Sequence, residues 1–141
     1  MSSKFYMNIK FTKSTIVHPI LFAMFPILLI TSSNLNEVIF LDAGFSLLIV
    51  VAITIVSWIF LNLFLKNKLK SGLLISLGLF LFFSYVHFTR TISQMGIDVS
   101  ALPFSYTTIA IPFYGIMLIV GIFGIIKTKK YLKDITNFAN I

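Results

Sequence analysis

Hydrophobic positions along the chain fall into four long runs, 16–33, 45–65, 69–88 and 109–126, separated by short polar stretches. Stretches such as SLLIVVAITIVSWIFLNLFL do not alternate apolar and polar residues, as the strands of a membrane barrel do. In lipid, backbone polar groups must pair within their own segment, so each run predicts a helix. At 1.5 Å per residue, crossing a hydrocarbon core of about 30 Å takes about 20 residues. Run 45–65 is long enough. Runs 16–33 and 109–126 sit at the short edge and need their polar ends to complete a crossing. The expected fold is all-α: one domain, residues 1–141, forming an integral membrane bundle of four transmembrane helices.

Composition agrees. The chain has 141 residues, 58% hydrophobic and 11% charged, with a mean hydropathy of +1.02. Soluble domains carry about 25% charged residues, and one core of this size could not hide so much apolar surface. The partners this implies are the lipid bilayer and other membrane protein chains.

The net charge of +7 is an orientation signal rather than a sign of nucleic-acid binding. Ten of the eleven basic residues are lysines in three clusters. Lys4, Lys10 and Lys13 precede the first run. Lys66, Lys68 and Lys70 fill the turn between the second and third. Lys127, Lys129, Lys130 and Lys133 follow the fourth. Four crossings put all ten on one side and leave Arg90, Glu37, Asp42 and Asp98 on the other. Basic excess marks the cytoplasmic side, which predicts both termini inside. The lean toward Ile, Phe, Lys and Asn points to an AT-rich prokaryotic genome, and so to a multi-pass protein of a prokaryotic cell membrane. The long basic segment before the first run, its two prolines and the lack of an A-x-A site argue against a cleaved signal peptide. No lipidation signal is present.

Candidate chemistry is sparse. With no cysteine, disulfides, thiolate metal sites and cysteine catalysis drop out. His18 and His87 fall at opposite ends of their runs, about 20–25 Å of helix rise apart. They cannot share a metal, and no carboxylate lies within a span to complete a ligand set. His18 is expected at the membrane interface, capping or anchoring the first helix. In FFSYVHFTR, residues 82–90, Tyr85, His87 and Arg90 gather at the outer end of the third run, with Asp98 or Glu37 as possible ion partners. His87 and Arg90 share a helix face. The group reads as interface anchoring, or as a pocket for an anion or lipid head group. Ser57, Asn62, Ser76 and Ser84, the Gly72-x-x-x-Ser76 pair and the glycines at 115, 121 and 124 are expected to pack helices together. Pro19 falls in a first turn, whereas Pro26 and Pro112 interrupt their helices. Residues 89–108 are expected to form a long outer loop. No nucleophile triad or paired-carboxylate site occurs, and neither catalysis nor a cofactor is expected.

Three stretches carry a resemblance: HPILFAMFPILL, the NLNEV that follows it, and LFFSYVH at the end of the third run. Together they resemble the amino-terminal membrane region of prokaryotic sulfatase-like proteins of the alkaline-phosphatase superfamily. Val86 stands where such sequences tend to have glycine, a departure from the tight helix contact that the resemblance implies there. It also implies a fifth span and an external catalytic domain beyond residue 141, with the metal ligands and nucleophile in that part. TKKYLKDITNFANI resembles the linker into that span. The first expectation is a non-catalytic membrane anchor or scaffold. The second is a small accessory subunit of a respiratory or monooxygenase-type membrane complex. The third is a small carrier or channel, which the lack of a membrane-embedded charge disfavours.

Overall fold

A computed structural model describes residues 15–36, 39–95, 106–128 and 131–141. It is all-helical: α1 (His18–Ser33), α2 (Phe40–Leu65), α3 (Lys68–Gln94), α4 (Tyr106–Lys127) and α5 (Leu132–Ala139). α2, α3 and residues 107–127 of α4 are long and apolar enough to cross a membrane, whereas α1 has only 16 residues. That is about 24 Å of rise.

α3 is the hub and packs against all four other helices, while α1, α2 and α3 also pack mutually. Successive long helices run in opposite directions. At one end the start of α3 meets three neighbours: Gly72 faces Ile16, Ser71 Oγ donates to Asn62 Oδ1 at 3.4 Å, and Lys70 Nζ donates to the Ile126 carbonyl at the end of α4. At the other end Phe88 of α3 stacks on Phe113 of α4, with centroids 5.1 Å apart. Lys66, Lys68, Lys70 and Lys127 therefore gather at one end, and Arg90 lies at the other. Lys4, Lys10, Lys13, Lys129, Lys130, Glu37 and Asp98 fall outside the described residues.

The outer faces are those of a protein solvated by lipid. On α2 only Thr54 is buried, and Phe40, Leu41 and Phe64 are each more than 70% exposed. α4 is equally bare outside its α3 contact, with Ile111, Ile119 and Val120 exposed. A water-soluble monomer rarely carries contiguous apolar surface on this scale.

One boundary falls where expected and one does not, each for a visible reason. The turn after α2 closes at Lys66, in the left-handed region at φ 49°. Asn67 then caps α3, its Oδ1 accepting from Lys70 N at 3.1 Å. At its far end α3 does not stop near residue 88 but continues through FTRTISQ to Gln94. There the hydroxyls of Thr89, Thr91 and Ser93 donate to the carbonyls of Tyr85, His87 and Arg90. Carbonyls that emerge from the apolar layer are thus satisfied locally, and part of the expected loop is helix. Residues 96–105 of that loop lie outside the described residues.

α5 was not among the expected elements. It buries Leu132 and Thr136, one turn apart, and leaves Phe138 exposed, so it lies with one stripe on the lysine-rich end of the bundle.

Candidate functional site

Two places gather polar side chains. The first is the start of α1. Its first turn would leave backbone N–H groups without partners, yet all of them are accounted for. Val17 N and His18 N both donate to Asn140 Oδ1, at 3.2 and 2.9 Å. Pro19 has no N–H, and Ile20 and Leu21 donate to Val17 O. Asn140 Nδ2 completes the clamp by donating to Thr15 O at 2.6 Å. The end of the chain thus caps the first helix across a separation of more than 120 residues.

His18 is the correction here. It stands at the start of the first helix as expected, but it is fully buried against α3, with Nδ1 2.6 Å from Ser76 Oγ. The cause lies on α3. Gly72 has no side chain, and a Cβ there would come within 2.7 Å of Ile16 Cγ2 and 3.4 Å of His18 Cε1. The imidazole occupies the slot above Gly72, and the Gly72-x-x-x-Ser76 pair becomes the seat of α1. His18 Nε2 and Thr136 Oγ1 are buried without a hydrogen-bond partner. A proton on Nδ1, donated to Ser76, leaves only a lone pair unpaired at Nε2, the less costly choice for a neutral imidazole.

The second place is an open groove of about 1140 Å³ with α3 as its floor and α1 and α4 as its walls. Its sides are apolar: Phe22, Pro26 and Leu29 from α1, Leu118 from α4, and phenylalanines of α3. Polar residues collect at one end, where Ser33 and Asn34 of α1 face His87 and Arg90 of α3. The structure places Tyr85, His87 and Arg90 on one groove, whereas Asp98 lies outside the described residues. Ser33 and Asn34 were not joined to this cluster by the sequence reading, although the alternating direction of the runs puts the ITSSN exit on the same side.

Tyr85 also packs. Its ring meets Tyr114 edge-on at 5.5 Å, and Phe88 meets Tyr114 at 5.4 Å. Tyr114 OH donates to Ser84 Oγ at 3.2 Å. This aromatic cluster locks α3 to α4 beside the polar end of the groove. Val86 is exposed and lines the groove. Among the described residues no three His, Cys, Asp or Glu side chains come together as a metal site.

Of the glycines in the fourth run, Gly121 makes a close contact: a Cβ there would collide with Leu77 of α3. Gly115 and Gly124 face open space. The helical form and the three span-length helices are those of a membrane protein. Comparison with known protein families, curated proteins and solved structures returned no match.

Proposed function

We propose that the chain is a four-span membrane module with both termini on the cytoplasmic side of a prokaryotic cell membrane. In this reading it performs no catalysis and serves as an anchor or scaffold, as the resemblance to the membrane region of sulfatase-like proteins implies. The observation that carries it is the gathering of basic side chains at one end of alternating apolar helices, the pattern that fixes orientation in a bilayer.

The short α1 is the element this reading must accommodate. Its last turn supplies its own partners: Thr31 Oγ1 donates to Ile27 O, Ser32 and Ser33 Oγ both to Leu29 O, and Asn34 Nδ2 to Ile30 O. The Ile30 carbonyl, in the last turn, is covered this way, and the Thr31 carbonyl accepts from Asn34 N. With polar side chains at its end, α1 can finish inside the head-group layer, and a local thinning of the bilayer covers a few ångströms of mismatch.

Because the chain has no cysteine, single-cysteine labelling gives a direct test. Lys68 and Ser32 are both exposed and lie at opposite ends. An impermeant thiol reagent is expected to label Ser32→Cys in intact cells and Lys68→Cys only after permeabilisation. Labelling of both from the same side would remove the first crossing, and the reverse pattern would invert the topology. The purified chain is expected to release no sulfate or phosphate from ester substrates. Recovery in a stoichiometric complex with a membrane enzyme, docked on the bare faces of α2 and α4, would move the role to accessory subunit.

A further inference from the structure

The groove between α1 and α4 has a depth, a closed floor and a charge that helix packing alone does not require. On α3 its lining runs from Gly78 to Arg90, and on α1 from Phe22 to Asn34. Each stretch is about 18 Å of helix rise, against about 15 Å for half of a hydrocarbon core. The groove is therefore one leaflet deep. Its inner end, at Phe22, Gly78 and Leu118, lies next to the level where Leu77 of α3 packs against Gly121 of α4. A transmembrane helix from another chain would need a trough through the full thickness, whereas an acyl chain needs only this half. The volume of about 1140 Å³ exceeds the 300–1,000 Å³ of ordinary small-molecule pockets.

The charge selects the head group. Among the described lining residues Arg90 carries the only permanent positive charge, and none is a carboxylate. His87, three residues earlier, adds an imidazole on the same helix face. A guanidinium fork matches phosphate oxygens. No described lining residue carries a negative charge to offset the ammonium group of a zwitterionic lipid.

We propose that this groove binds one anionic phospholipid of the leaflet at the Arg90 end. An acyl chain lies along the trough toward Gly78, and the phosphate sits on Arg90 and His87. The proposal rests on the membrane reading above but not on which face is cytoplasmic.

The test is native mass spectrometry of the purified full chain in detergent, with phosphatidylglycerol, phosphatidylcholine or glycerol phosphate added. One phosphatidylglycerol should be retained per chain, about tenfold more tightly than phosphatidylcholine, the ratio that one charge-assisted hydrogen bond supplies. Arg90→Gln should abolish the preference, and Arg90→Lys should keep part of it. A Cβ at Gly115 meets nothing within 4 Å, so Gly115→Leu starts into open space on the groove lining. It should weaken both lipids without lowering the melting temperature, since leucine is the better helix former. Equal retention of the two lipids, or a preference that survives Arg90→Gln, overturns the proposal. Competition by glycerol phosphate as strong as by the lipid overturns it in favour of a free-anion site. Failure of the membrane reading itself would appear separately, in the cysteine labelling.

Discussion

Replacing Gly72 with leucine is expected to unseat α1 from α3. A Cβ alone would come within 2.7 Å of Ile16 Cγ2, a methyl on a β-branched side chain with little rotamer freedom. The leucine branches would then compete with the His18 ring for the slot. Overpacking of this kind costs about 1–3 kcal/mol, and the better helix propensity of leucine recovers less than about 1 kcal/mol. Breaking the His18–Ser76 contact adds to the loss. The expected result is a clear fall in melting temperature in detergent, with Gly72→Ala in between. Ile16→Ala in the same chain should restore part of it, since it removes the first atom struck, and the double-mutant cycle isolates that contact. An unchanged melting temperature in Gly72→Leu, with no effect of Ile16→Ala, would show that α1 does not sit on Gly72.

How much of this was legible in the sequence follows from which force acts at each place. The four apolar runs and the lysine turns were readable because lipid permits few alternatives: backbone pairing forces helices, and charge is expelled to the ends. Gly72 and Ser76 announced a close helix contact by their spacing, but nothing in that spacing names the partner. His18 lies 58 residues away, and only the folded chain brings it there. For the same reason its burial was not foreseen, since a histidine at the start of an apolar run reads equally well as an interfacial residue. α5 was missed because LKDITNFA is short and buries only Leu132 and Thr136, a stripe too brief to stand out in a window of 11–18 residues. The groove was half legible. His87 and Arg90 are neighbours on one helix, but Ser33 and Asn34 join them only once α1 is laid against α3.

The second large effect is expected at Asn140. Among the described residues its side chain is the acceptor for both Val17 N and His18 N, and it also donates to Thr15 O. Asn140→Ala removes all three bonds and leaves the His18 amide unpaired beside a fully buried side chain. Loss of an ordinary helix cap costs about 0.5–2 kcal/mol, and this one satisfies two donors at once. Asn140→Asp separates the parts of the clamp. A carboxylate still accepts from both amides and is favoured at the positive end of the α1 dipole, but it cannot donate to Thr15. The expected order of stability is Asn140, then Asp, then Ala. The effect should concentrate at α5, whose other holds are Leu132 and Thr136. Amide hydrogen exchange over 132–139 should accelerate most in the alanine variant, and trypsin should reach Lys133 sooner, while exchange in the middle of α3 stays slow. If exchange in 132–139 is the same in all three proteins, α5 is held by its apolar stripe alone and the clamp is incidental. If α1 loosens together with α5, the two ends of the chain fold as one unit. In that case the capping bond, rather than the α1–α3 packing, decides whether the first helix remains in place.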